Sequence, residues 1–281
     1  MKTQTHNRIL VAVLLSVLPV LLQGQVSVTP TFLSIDERTN LGLIYLNNSS
    51  SEPMEVSLSV EFGYPASDET GGTIMVFDDE ERKARYALDN YVRVFPRQII
   101  LGPNASQSIQ LMVRPMRDKP DGVYWTRLFI TSKRQVSDLE QTLEEGEIGA
   151  SIGYVLRQNI PVIYSKGETS TGLDVLQIDA EITAGRLHAS ARVVPVGNAP
   201  FIGSMHAVLR NREGTKVGTA YNTLAAYTEI VRGVSLPLPE EGFDPGHYSL
   251  EVTFETRRRD ISADMLIQAE SVSEIVQVAI E

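Results

Sequence analysis

There is no cysteine among the 281 residues. That zero excludes thiol nucleophiles, Cys-ligated zinc, iron–sulfur clusters and a disulfide framework together. Histidine is also scarce, with four in the chain. His6 lies in the N-terminal segment, and His188, His206 and His247 are scattered without metal-site spacing, so they read as strand or turn residues. Basic residues are outnumbered, 25 Lys+Arg against 35 Asp+Glu, for a formal net charge of -10. A nucleic-acid binder concentrates Lys and Arg to neutralise phosphates, so this balance argues against that class. The one dense basic cluster, Arg257-Arg258-Arg259, is followed at once by Asp260 and reads as a solvated strand end or turn. Gly-x-Ser-x-Gly and P-loop motifs are missing, and the acidic run Asp78 to Glu81 lacks EF-hand spacing. The expectation is a protein that is not an enzyme and needs no cofactor or metal.

Long hydrophobic runs are missing except at the N-terminus. Lys2 and Arg8 form a basic region, Ile9 to Leu22 is apolar apart from Ser16 and Pro19, and Gln23-Gly24 follows. This is the pattern of a cleavable secretory signal over residues 1–24. The apolar run is too short for an ordinary membrane span of about 20 residues. The expected mature chain is therefore an acidic protein that does not insert into a membrane after signal cleavage.

What remains alternates in period two, as strands with one buried face do. Met54, Val56, Leu58, Val60 and Phe62 alternate with Glu55, Ser57, Ser59 and Glu61. The pattern returns at Ile109 to Val113, Tyr124 to Ile130, Leu187 to Val193 and Tyr248 to Phe254, with turn clusters between. The fold expected is all-β, with two immunoglobulin-like β-sandwich domains in tandem after the signal peptide. Residues 165–172 contain no apolar side chain and two glycines, which reads as a short hinge between domains 25–166 and 172–281. Asp78 to Asn90, rich in helix formers, is expected as a short helix or a mobile surface loop. Trp125, the only tryptophan, is read as a core residue or as a partner contact.

One segment does not fit a plain sandwich. Asp138, Glu140, Glu144, Glu145 and Glu147 crowd a stretch without a compensating base, the composition of an exposed loop. Behind it runs one apolar row: Ile148, Ala150, Ile152, Tyr154 and Leu156, then, past Gln158, Ile160, Val162 and Tyr164. At about 3.3 Å per residue the row would exceed 50 Å, far longer than an ordinary strand. Either it is broken by a bend, or its first half projects an apolar edge beyond the core. Such an edge invites aggregation unless the protein uses it to complete another protein's sheet.

Several stretches together resemble the PapD-like periplasmic chaperones of pilus assembly. They are Val26 to Pro30, Gly42 to Asn47, Val94 to Arg114, Asp121 to Ile130 and Tyr154 to Tyr164. The last is similar to the final N-domain strand of the archaic, non-classical branch, with its Ile-Pro-Val. The resemblance covers about half of the chain, roughly residues 25–164. It implies donor-strand complementation, in which the chaperone's strand fills the groove of a subunit that lacks one of its own. The donors implied are Ile152, Tyr154 and Leu156, with Ile148 and Ala150 extending the row. Partners implied are pilin-like or other surface-structure subunits and an outer-membrane usher, and the location implied is the periplasm.

This sequence departs from the family at one point. Classical members anchor a subunit carboxylate with an Arg and a Lys, and here those positions carry Phe32 and Pro161. Arg38 and Arg157 lie nearby as weak candidates to replace them, and both also read as ordinary surface residues. The sequence therefore points to a subunit chaperone. The rival readings are a structural or adaptor component of a secretion or adhesion assembly that has lost chaperone cycling, and, behind it, a carbohydrate-binding or hydrolytic sandwich.

Overall fold

The structure is a computed structural model that describes residues 26–68, 71–135, 154–238 and 245–280. In chain order the first half contains β1 (Val26–Thr29), β2 (Leu33–Asp36), β3 (Leu41–Asn48), β4 (Met54–Glu61), β5 (Tyr64–Ser67) and β6 (Thr73–Val76). A short helix, α1 (Glu80–Tyr86), is followed by β7 (Val92–Phe95), β8 (Gln98–Leu101), β9 (Ser106–Val113), β10 (Gly122–Arg134) and β11 (Val155–Lys166). The second half contains β12 (Thr171–Thr183), β13 (Arg186–Gly197), β14 (Phe201–Arg210), β15 (Lys216–Ala226), β16 (Ile230–Pro237), β17 (Gly246–Glu255) and β18 (Val272–Ile280).

The first half is a sandwich of sheets β1-β3-β9-β7 and β2-β11-β10-β4-β8. The period-two runs supply its filling, as alternation requires. Ile44, Leu46, Ile109 and Leu111 from one sheet meet Leu58, Leu128, Val162 and Tyr164 from the other in a single buried cluster. The second half pairs sheet β12-β13-β16 with sheet β15-β14-β17-β18 around Leu187, Ala191, Phe201, Leu250 and Phe254. The architecture is thus all-β, two sandwiches in tandem, as the alternation implies. Burying a side chain such as Ile, Leu or Phe contributes roughly 1.5 to 3 kcal/mol, and with no disulfide available this burial holds each sandwich. Among the described residues no helix is long and apolar enough to cross a membrane.

Of the two readings of Asp78 to Asn90, the helix is what forms. Asp79 caps α1 by accepting a hydrogen bond from the Arg82 backbone N–H at 2.9 Å, and acidic residues in the first turn suit the helix dipole.

The two sandwiches meet through a third apolar cluster. Phe32, Phe62, Tyr64, Val123, Trp125 and Ile163 of the first half pack against Ala199, Ile202, Tyr227, Ile261 and Leu266 of the second. Polar contacts cross the same seam: Val231 N–H donates to Ser67 Oγ at 2.8 Å, and Arg82 Nη2 donates to Thr228 Oγ1 at 3.0 Å. The segment between β11 and β12 is short and tied at both ends. Glu168 N–H donates to Asp121 Oδ2, and the Asn198 side chain bonds Ser170 N–H and Glu168 C=O. Gly122 has φ near +147°, and a Cβ there would meet Asn198 O at 3.0 Å. Glycine lets the second sandwich come this close, so that Asn198 O can accept from Val123 N–H.

Candidate functional site

Strand β11 positions the site. It pairs antiparallel with β10 along its whole length, from Gly122↔Lys166 to Lys133↔Val155. Its other edge meets β2, parallel, only from Val162 to Ser165. From Val155 to Pro161 that edge has no neighbouring strand among the described residues. Pro161 sits where a missing N–H is tolerated, on an edge.

The side chains of β11 divide by parity. Tyr164, Val162 and Ile160 are buried in the first sandwich core, and Ile160 is only 3% exposed. Further back in the same row, Gln158 and Leu156 are half-buried and Tyr154 is 51% exposed. The sandwich therefore stops covering the row at Ile160, while the strand itself runs on unbroken to Val155. Gln158 marks the transition, its side-chain amide donating to Val26 C=O at 2.7 Å. Of the five residues predicted from the sequence, Tyr154 and Leu156 lie at the uncovered end of this row. Ile148, Ala150 and Ile152 lie outside the described residues, as does the acidic stretch before them.

No family model matches the chain, and no curated protein does. Solved structures are similar to it at TM-scores below 0.5. It is similar to the YadV chaperone, at 11% identity and a TM-score of 0.47, covering 89% of this chain and 99% of that one. It is similar to the Pseudomonas aeruginosa CupB2 chaperone, at 8% identity and 0.41, covering 91% and 100%. A chain of the Salmonella enterica SafA pilin–SafB chaperone complex is similar at 12% identity and 0.40, covering 90% and 96%.

The two weak candidate cations from the sequence are both on the surface. Arg38 is exposed and paired with Asp36 at 3.3 Å. Arg157 lies over the Phe129 ring at 3.9 Å and within 3.5 Å of Glu61. Phe32 is buried in the seam between the sandwiches, and Pro161 is half-buried on β11. The residue that sequence reasoning missed is Arg127. It is the register partner of Pro161 on β10, is 7% exposed, and faces away from the sandwich core beside the seam.

Arg127 has no carboxylate within ion-pair distance among the described residues. Its Nε donates to Gly63 C=O at 3.3 Å. Burial pushes its guanidinium below the usual arginine range, with the neighbouring Tyr227 hydroxyl acting the other way. An arginine stays charged in any protein environment, so this is an uncompensated buried cation, and such a group is costly unless something pairs with it. The signal available in the sequence was its place within Val123 to Ile130, a run apolar on both parities apart from Thr126 and Arg127.

Trp125 is 3% exposed and belongs to the seam, not to the core of either sandwich. Its ring stacks on Tyr86, with centroids 4.6 Å apart, and meets Tyr227 edge-on at 4.9 Å.

His206 has both a hydroxyl and a carboxylate close by: Ser204 Oγ at 3.1 Å and Glu255 Oε1 at 2.9 Å. Both approach the same nitrogen, Nε2, so the ring does not relay between them as a catalytic triad requires. Ser204 is fully buried and its hydroxyl donates to Arg257 C=O at 2.7 Å.

Proposed function

We propose that the protein is a periplasmic chaperone that captures subunits of pili or related surface structures by lending them the uncovered part of β11. The observation that carries this reading is the open edge from Val155 to Pro161, next to an apolar row that continues past the end of its own core. A strand added there gains main-chain hydrogen bonds without regard to sequence, while the alternate side chains Tyr154 and Leu156 fill pockets in the partner. Ile152, Ala150 and Ile148 extend the same row. Each buried side chain of this size would contribute roughly 1.5 to 3 kcal/mol before ordering costs.

The parallel pairing of β2 with β11 gives the edge a direction. A partner strand in line with β2 runs parallel to β11, and its C-terminal end then reaches the level of Pro161. Arg127 lies one strand in from this edge, on β10, with its Nε donating to Gly63 C=O on the β4 side, so it does not receive a carboxylate there. The adaptor reading draws its support from Phe32 and Pro161 at the anchor positions.

The test is amide hydrogen exchange on the protein alone and with a small partner co-purified from its native source. The amides of residues 155–161 that point away from β10 should exchange fast in the free protein and become protected in the complex. Unchanged exchange along this edge in a stable complex would reject strand addition here.

A further inference from the structure

We infer that the outer face of sheet β1-β3-β9-β7 is a docking surface for a second copy of this chain, separate from the β11 edge and independent of the chaperone reading. Leu41, Leu43 and Tyr45 project outward from β3, where exposed and buried residues alternate strictly. Met112 on β9 is the register partner of Leu41, and Phe95 on β7 lies level with Leu43 across Gln110. All five apolar side chains are exposed, Tyr45 by 53% and Phe95 by 67%. They form one apolar surface around Gln110, and a monomer rarely leaves such a surface uncovered.

Charge says what covers it. The chain carries a net charge of -10, yet the four strands of this sheet contain no Asp or Glu and one basic residue, Arg93. A basic partner would find no carboxylate here, and an acidic one a single guanidinium. Two copies of an acidic protein repel where their carboxylates approach within a Debye length, about 8 Å at physiological ionic strength, and a face built without carboxylates lets them meet. Its composition is that of a subunit interface, in which Tyr, Phe, Met and Arg are enriched and Lys, Asp and Glu depleted.

A two-fold axis along β9 makes the contact isologous. It lays β7 of each copy across β3 of the other, so that Phe95 meets Leu43, Met112 meets its own counterpart, and Arg93 lies over Leu41 instead of over the second Arg93. With strands about 4.8 Å apart and a rise of about 3.4 Å per residue, the face covers roughly 400 Å² per copy. That puts the contact at the low end of specific interfaces, below about 1,200 Å² in total, and the dimer is therefore reversible.

Sedimentation velocity of the mature chain over about 1 to 200 μM tests this. A monomer–dimer equilibrium with its midpoint in the micromolar range is expected. It should tighten as NaCl is raised, since no ion pair forms and the repulsion between acidic copies is screened. Leu43→Glu and, separately, Met112→Glu should weaken it by about tenfold or more, while Tyr154→Asp combined with Leu156→Asp should leave it unchanged. A chain that stays monomeric throughout, including one whose face is covered by a co-purified partner instead, would overturn the inference. So would a dimer loosened by salt, a dimer lost only in the β11 variant, or an unaltered midpoint in a folded Leu43→Glu. Should either Glu variant unfold, the other variant, the salt dependence and the β11 comparison decide.

Discussion

Arg127 and Pro161 face each other in register across β10 and β11, a buried cation beside a residue with no backbone donor. The pairing joins two features that matter separately: an edge that ends at a proline, and a charge that no described carboxylate offsets. Retaining such a charge works against stability.

Replacing Arg127 with Met, which is apolar and nearly as long, should separate those effects. Removing a desolvated, unpaired charge is expected to leave stability unchanged or raise it by about 1 to 3 kcal/mol. Recovery of the partner should be unchanged, because Arg127 lies one strand in from the open edge. Denaturant unfolding and co-purification on the same variant check both expectations. A marked loss of stability would mean that the guanidinium is a structural group.

The end of the core can be located energetically along one row of β11. Ile160→Ala opens a cavity in a packed interior and should cost about 2 to 5 kcal/mol. Leu156→Ala, two alternations earlier and half-buried, should cost clearly less, within about 1 kcal/mol. Similar losses at the two positions, measured by urea unfolding, would place Leu156 inside the core and remove it from the binding row.

The seam between the sandwiches should be sensitive to alkali. Burial, and then the hydrogen bond to the Asp79 carboxylate at 2.5 Å, push the Tyr64 hydroxyl up to about 12. Burial likewise raises Tyr227 in the same cluster. A tyrosine with a raised folded-state pKa keeps its proton longer when folded than when unfolded. Its contribution is therefore complete below about pH 10 and is lost as pH rises towards 12. Trp125 emission followed against pH should report loosening of the seam in that window, and Tyr64→Phe should reduce the effect. A flat response to pH 12 would contradict this origin.

Much of the fold was legible because a strand with one wet face writes itself as alternation. Leu187, Ala189, Ala191 and Val193, read as one face from spacing, are all buried in the second sandwich. β10 was legible only in part. Val123 to Ile130 is buried on both faces, and when both parities are buried the period-two signal no longer says which face meets which neighbour. Trp125 and Arg127 both lie on the face that packs against the seam, so the role of each depended on a second sandwich placed far away in sequence. The row of β11 posed the opposite difficulty. Its alternation from Tyr154 to Tyr164 is broken only by Gln158, a single polar residue that hints at a boundary without saying on which side the core lies. That boundary is set by where β2 and the opposite sheet stop.

The most direct measurement is partner recovery with Tyr154→Asp and Leu156→Asp combined, compared with the native sequence under identical expression and purification. Both side chains lie past the covered part of the row, so the double variant should keep its thermal unfolding midpoint to within a few degrees. Two carboxylates facing a partner's apolar groove should abolish capture. A folded variant that still recovers its partner in full would contradict donation of β11, and so would a variant whose only defect is unfolding.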